Sequence, residues 1–518
     1  MTVWTNKIEP FVFGLLCIGA LFTNMSCFTD TNMVPKWFVC LFILGIGLIY
    51  YSIKANIVEI NSINISVWSL VIVISAFAQA LYGIAQYFRL LLNPSNYQMV
   101  GSFDNPAGFA ACLCAGFPFV LMSVRGSSMR IRFLRYFVVA VIILAVILSG
   151  SRTGMVVLIF VGGVLVFSYV PFERKGKLFA FLFIFIILLF GIYFLRKDSA
   201  NGRLLIWCCS WEMLKDSPFY GYGAGGFMAH YMDYQASCFR EHPRSYYALL
   251  AGNTHCPFNE YLSIFLNYGL FGLAVFVYFI IYSYKKNPNK SSKIAVLSLL
   301  SISIFSFFSY PFDYPFVWIC MLFSISIIVN NTYYFHLSKN NKRLIGIILL
   351  VIGCILLCQL CKRIIYERKW NNIAHQSMQG NFAKVHPYYI QIEDYFQENP
   401  YFLYNYASEL YESNKLNESL IIASRCRLYW ADYDLETLLG DICTRLRRYK
   451  EAEHYYYSAA FMCPCRYAPL YQLYLVYKIT GKSNKARSIA QIIVNKPVKI
   501  NSPTVQEIKY KMKRELNQ

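Results

Sequence analysis

Long apolar runs, separated by short polar segments, fill the first two-thirds of the chain. Runs of about 17 to 25 apolar residues read as membrane-spanning helices. Eleven stand out, with cores at 11–25, 37–53, 67–88, 108–124, 133–148, 154–170, 178–195, 258–282, 294–308, 312–329 and 344–360. No small-x-small cleavage site follows the first run and further spans do, so it reads as a helix that stays rather than a cleaved signal. After residue 360 the long apolar runs stop and charge rises.

A different period takes over in that tail. "GNFAKV" from Gly380, "NKLNES" from Asn414, "RRYKEA" from Arg447 and "GKSNKA" from Gly481 recur at spacings of 34, 33 and 34 residues. That is the tetratricopeptide period, one helix-turn-helix per repeat. Ala407, Gly440, Ala452 and Ala486 are small residues at which helices can pack closely. The predicted fold is therefore all-α: a polytopic membrane protein of about 11 transmembrane helices with a C-terminal α-solenoid. Residues 1–365 form the membrane domain, with an outer loop at 196–256, and 366–518 form the solenoid. Its concave face suits a protein partner or a glycan; a spacer or folding support is the competing role.

Composition supports this class. The 518 residues are 57% hydrophobic and 14% charged, with a mean hydropathy of +0.42; a soluble domain carries about 25% charged residues. The net charge of +21 would suggest nucleic acid, but its distribution argues otherwise. Basic residues gather in alternate loops, around Arg125–Arg135, Arg174–Lys177, Lys285–Lys293 and Lys339–Arg343, and the loops between carry almost none. This is the positive-inside pattern. It puts the N-terminus in the cytoplasm, and residues 196–256 and the tail outside, with the lipid bilayer rather than nucleic acid as the partner. Most of the 17 cysteines fall in the spans, where they act as small apolar residues. Cys238, Cys256, Cys463 and Cys465 lie on the outer side, where a disulfide is chemically allowed but its pairing is not legible. No second ligand pair stands at zinc-finger spacing, so no metal or cofactor is expected.

Four polar pieces interrupt the apolar pattern, all on the outer side. "GSFDNPAGFA" starts at Gly101, "SGSRTG" at Ser149, "GRLLIWCCSWEMLKDSPFYGYGAGGF" at Gly202 and "NTHCPFNEYLSIFLNYGLFG" at Asn253. Arg152 stands in a turn too short to reach far into water, and an arginine at a membrane boundary is costly unless an anion pairs with it. Interfacial snorkelling is the alternative. Arg203 opens a stretch whose Ile206, Trp207, Trp211, Met213 and Leu214 share a helical face. Capped at Ser199 or Asn201, that helix would lie on the membrane surface with Arg203 in its first turn. Free N–H groups beside a guanidinium suit a phosphate; an ordinary amphipathic surface helix is the alternative. His255, four residues before Asn259, is either a general base or a local helix cap.

Together and in this order, the four pieces resemble the O-antigen ligase, O-antigen polymerase and O-oligosaccharyltransferase superfamily, over residues 65–330. "GSFDNPAGFAACL" is similar to the family's G-x-F-x-N-P-N-x-x-A-x-x-L, with Ala107 in place of the second asparagine. "SGSRTG" looks like its Ser-Arg-small-Gly turn. The third piece resembles G-R-x-x-x-W…P-x-x-G-x-G-x-G-x-F. The fourth ends in the family's G-x-x-G, but Phe258 occupies the position of its histidine, and His255 lies three residues earlier.

The resemblance implies a metal-independent glycosyltransferase of the bacterial inner membrane, working on the periplasmic face. The donor would be a glycan on undecaprenyl diphosphate. The acceptor would be lipid A core, a second lipid-linked glycan or a protein, favouring a ligase over a polymerase and a protein transferase. Arg152, Arg203 and His255 would be catalytic; Asn105, Trp207, Gly223, Gly225, Asn259 and Glu260 would bind substrate. A transporter or flippase without chemistry fits less well, since no inverted repeat is visible.

Overall fold

The computed structural model describes residues 2–57, 65–93, 95–123, 128–169, 176, 191, 194, 197–243, 245–285, 290–330 and 339–517. Every regular element among them is helical. The chain forms two compact units, one of Met1–Ile192 with Phe276–Asn371, the other of Tyr193–Val275 with Asn372–Gln518.

The first unit contains α1 (Thr2–Phe22), α2 (Met33–Ile57), α3 (Ile65–Tyr87), α4 (Pro106–Gly116), α5 (Met129–Leu148) and α6 (Arg152–Tyr169). The end of α9 (Glu260–Lys285), then α10 (Lys290–Phe308), α11 (Pro315–Asn330) and most of α12 (Lys339–Gln376) complete it. Among the described residues, six apolar helices are long enough to cross a bilayer: Met33–Lys54, Ile65–Tyr87, Met129–Leu148, Glu260–Tyr282, Ser291–Phe308 and the apolar part of Asn340–Phe396. Glu9–Phe22, Pro106–Phe119, Arg152–Leu165 and Pro315–Val329 are apolar but shorter. The run expected at 178–195 lies outside the described residues, apart from Gly191 and Phe194. Leu344, Ile347, Val351 and Ile355 of α12 are exposed at helical spacing, an apolar face that water would not tolerate and lipid does. The protein is a multi-pass membrane protein.

At the centre of this unit α4 is buried on all sides from Gly108 to Gly116. Its neighbours come close because its residues are small. A Cβ on Gly108 would lie 2.4 Å from the Tyr314 ring, and one on Gly154 of α6 would lie 2.9 Å from Ala110. Cys17, Cys40, Cys112, Cys114 and Cys320 are buried in the same core, as expected of cysteine used for its size.

The second unit contains α7 (Lys197–Asp216), α8 (Gly226–Glu241) and the start of α9, together with the tail helices. These are α13 (Phe382–Glu393), α14 (Pro400–Glu412), α15 (Leu416–Arg427), α16 (Tyr433–Arg445), α17 (Tyr449–Met462), α18 (Ala468–Ile479), α19 (Ser483–Asn495) and α20 (Pro503–Asn517). Within the tail α14 packs on α15, α16 on α17 and α18 on α19, so a helix pair flanks each of the turns at Asn414, Arg447 and Gly481. The first residue of each recurring turn, Gly380, Asn414, Arg447 and Gly481, has a left-handed backbone with φ of 84, 61, 61 and 68°. That conformation ends one helix and redirects the chain into the next. Gly440 meets the Tyr456 ring, 2.5 Å from where its Cβ would be.

The outer loop groups with the tail because its apolar faces are buried against it. Leu205, Ile206, Cys209 and Met213 of α7, with Phe227, Tyr231, Met232, Ala236 and Phe239 of α8, share one core with Ala431, Tyr433, Ala459, Met462 and Cys463. The expectation that α7 rests its apolar face on a membrane surface is thereby corrected: Ile206, Met213 and Leu214 face protein, and only Trp211 of that stripe is well exposed. Polar bonds reinforce the packing. Gln235 Nε2 donates to Met462 O at 2.6 Å, and Arg427 pairs with Asp233 and Glu436, each at 2.5 Å.

Candidate functional site

The third and fourth polar pieces meet in the second unit. Arg203 and Trp207 lie one turn apart on α7. Trp207 Nε1 donates to Pro257 O at 3.0 Å, and the Arg203 guanidinium carbon lies 5.6 Å from the centre of the Phe258 ring. A cation over an aromatic face is held there by the ring quadrupole. Phe258 itself has a left-handed backbone, φ 52°, which lets the chain turn before α9 begins. Asn259 caps that helix: its Oδ1 accepts from Leu262 N at 3.0 Å and its carbonyl from Ser263 N at 2.9 Å. Glu260 is buried in the first turn.

One local expectation changes. α7 is already under way at Lys197, so Arg203 lies in its second turn and Asn201 is a buried interior residue rather than a cap. Lys197-Asp198-Ser199-Ala200 contains no helix breaker, so the helix starts earlier than a polar-to-apolar boundary suggests. Arg203 therefore works as a guanidinium projecting from a helix side, without free N–H groups beside it.

The glycine-rich loop closes on α9. Tyr222 N donates to Leu266 O at 2.9 Å, Gly223 N to Asn267 O at 2.8 Å, and Leu270 N to Pro218 O at 2.9 Å. These carbonyls are available because α9 breaks at Gly269, where φ is 67° and ψ −169°. Gly223 and Gly225 have φ of 83 and 80°, with open space where a Cβ would be. Gly225 starts α8, whose Phe227 N donates to Asn267 Oδ1 at 3.2 Å. The glycines expected to bind substrate are thus first of all turn formers, and Gly269, the first glycine of the G-x-x-G, makes room for the loop.

His255 is exposed, in the segment that leads through Phe258 into α9. Trp430 Nε1 of the tail donates to its Nδ1 at 3.3 Å. An indole N–H can only donate, so the neutral imidazole carries its own proton on Nε2. The lone pair that a base would use at Nδ1 is engaged. Nearby, buried Asp432 accepts from Asn253 Nδ2 at 2.7 Å through one oxygen, and from Asp434 N at 2.7 Å and Leu435 N at 3.1 Å through the other. Asp432→Ala removes a cap and strands Asn253, an expected loss of about 2 to 4 kcal/mol. Thermal melts of the purified protein should show this, with Asp432→Asn recovering part of it; an unchanged melt for Asp432→Ala would remove the joint.

The first two pieces belong to the other unit. Asn105 caps α4, its Oδ1 accepting from Gly108 N at 2.9 Å and its Nδ2 donating to the hydroxyls of Tyr314 at 3.1 Å and Tyr310 at 3.3 Å. Gln86 grips the preceding turn, its amide donating to Gly101 O and accepting from Gly101 N, both at 2.8 Å. Arg152 is half-buried in the first turn of α6, where Ser151 Oγ accepts from Gly154 N at 3.3 Å. Since Gly154 packs on Ala110, the starts of α4 and α6 flank one contact.

Asp313, in the turn between α10 and α11, is an ionisable group that sequence reading passed over. Its surface stays exposed, yet the surrounding protein pushes its carboxyl up to about 6, and the Asp104 carboxylate adds to the push. A raised acid is easier to keep protonated in the folded state. Stability is then fully present below its ordinary value near 4 and declines as pH rises to about 6. Asp313→Asn should flatten that slope and raise the melting temperature above pH 6. A slope unchanged in Asp313→Asn would assign it to another group.

Residues 137–277 match the family described as O-antigen ligase. Through that segment the chain is similar to the O-antigen ligase superfamily. No curated protein matches the chain. The O-antigen ligase segment holds Arg152, Arg203, Trp207, the glycine loop, His255, Phe258, Asn259 and Glu260. The match supports a membrane enzyme of the O-antigen ligase or polymerase type, a family of glycosyl-transfer enzymes. Trp430 and Asp432 had no motif to announce them. The available signal was "WADYDLE", in which an aspartate precedes a helix as a cap does.

Proposed function

We propose that this protein transfers a glycan from undecaprenyl diphosphate to an acceptor hydroxyl at the periplasmic face of a bacterial inner membrane, as a ligase. In the reaction the acceptor oxygen bonds to the anomeric carbon, and the bond from that carbon to the diphosphate breaks with its electron pair going to phosphate. The acceptor's proton passes to solvent. Charge growing on the leaving diphosphate is the main obstacle, and fixed arginines meet it without reorganising. Arg203 and Arg152 carry that role. The observation that carries the reading is Arg203 itself: a half-buried guanidinium, oriented by Phe258, inside the matched segment.

With its Nδ1 bonded to Trp430, His255 serves this reaction as a donor through Nε2–H rather than as a base. Asn105, Asn259 and Glu260 shape the substrate sites from the helix starts they occupy, and the tail supports the outer loop.

The experiment is the lipopolysaccharide ladder of a deletion strain. Loss of the whole ladder with polymer retained on the carrier lipid supports a ligase. A single-repeat band assigns a polymerase, and an intact ladder with altered glycoproteins a protein transferase. No change in any glycan would end the transfer reading.

A further inference from the structure

The tail side of the His255 loop carries a cluster of aromatic and polar side chains. Trp430 is buried and forms a floor. Its ring lies 5.6 Å from His255, 5.4 Å from Tyr401 and 5.5 Å from Tyr404. Tyr401, on the first turn of α14, is 51% exposed. The packing face of that helix is made by Phe402, Leu403, Tyr406, Ala407 and Leu410, so Tyr401 points away from the helix's own core contacts. Asp434, exposed on the first turn of α16, completes the group. Its backbone N–H donates to Asp432 Oδ1 at 2.7 Å, and Asp432 Oδ2 accepts from Asn253 Nδ2 at 2.7 Å, two residues before His255.

These side chains supply what a pyranose ring needs. A sugar has one face of C–H bonds and a rim of hydroxyls. Tyrosine offers an apolar face with a polar tip. A carboxylate accepts two hydroxyl hydrogen bonds, and an imidazole with its proton on Nε2 donates one. A peptide or lipid chain would use the aromatic surface but leave the carboxylate and imidazole unmatched. The position also fits. His255 and Phe258 are three residues apart, so their Cα atoms are separated by at most about 11 Å, roughly one or two sugar residues. Phe258 carries the Arg203 guanidinium over its ring.

We infer that Tyr401, Trp430, His255 and Asp434 form a sugar-binding subsite that takes a pyranose of the glycan substrate close to the bond being exchanged. The inference rests on the glycan-transfer reading. It makes the tail part of substrate recognition rather than a spacer.

The test uses the full-length protein in nanodiscs. The probe is the oligosaccharide released by mild acid from the host's own carrier lipid. Binding is followed by saturation-transfer NMR, and transfer by steady-state kinetics with melting temperature as a folding control. Tyr401→Ala and Asp434→Asn should weaken probe binding at least about tenfold and raise KM with kcat largely kept, while Tyr401→Phe stays near wild type. A KM rise for the lipid-linked donor assigns the sugar to the donor, and a rise for the acceptor assigns it to the acceptor. If both variants bind and turn over as wild type while Arg203→Ala is inactive, the subsite is refuted and the transfer reading stands. If wild-type protein transfers no glycan to any acceptor, the transfer reading itself falls.

Discussion

Gly269→Ala is expected to cost about 2 to 5 kcal/mol and to remove most of the folded protein from membranes. The backbone there, φ 67° and ψ −169°, lies in a region open essentially to glycine alone. A methyl group would come 2.0 Å from Phe219 O and 2.2 Å from Phe219 C, both main-chain atoms that cannot step aside as a side chain could. Two costs therefore add, backbone strain and overpacking. The consequence spreads, because the break at Gly269 is what exposes Leu266 O and Asn267 O to the amides of Tyr222 and Gly223. Gly202→Ala is the control. It lies inside α7 with open space at its Cβ position, so alanine should stabilise the helix by up to about 1 kcal/mol. Fluorescence-detected gel filtration after graded heating compares the two. A Gly269→Ala protein that melts with the wild type would mean that the loop does not dock on α9 as described.

The same residues show how far the sequence could be read. Hydropathy reported the helices of the first unit well, since lipid and a buried core both demand apolar side chains and α4 meets the second demand without the length for the first. The period of the tail was legible because each repeat must reverse direction, and the four turn residues that mark it share the left-handed backbone that reversal requires. What could not be read is where an amphipathic face goes. Ile206, Met213 and Leu214 gave the same stripe whether α7 lay on lipid or on the tail, and only the three-dimensional complement in α8, Ala431, Tyr433 and Met462 decides. The helix start was missed for a related reason: Lys197-Asp198-Ser199 looks like a boundary but carries no breaker. Motif positions were found readily, their local roles less so. Asn259 reads equally as a ligand and as a cap, and the structure gives it a capping bond. His255 read as a base because nothing in the linear order brings Trp430, 175 residues away, to its Nδ1.

Arg203→Ala should lower glycan transfer roughly a hundred- to thousand-fold, the usual cost of losing one charge-stabilising donor at a reaction centre, or about 2.7 to 4 kcal/mol of barrier. The cost to the fold should be smaller: the place of the side chain over the Phe258 ring at 5.6 Å is worth about 0.5 to 1 kcal/mol at an accessible site. Rate and stability therefore separate, which an arginine kept only for structure would not allow. Arg203→Lys keeps the charge but gives up the planar fork that matches two phosphate oxygens, so it should recover part of the activity. Phe258→Ala leaves the guanidinium chemically intact but unguided, and its defect should be smaller than that of Arg203→Ala. Arg152→Ala tests the second arginine in the same assay. The assay is transfer from carrier lipid in membranes, with protein level followed by immunoblot. If Arg203→Ala and Arg152→Ala, normally expressed, both turn over at the wild-type rate, the diphosphate is held by other residues and the proposed chemistry is wrong.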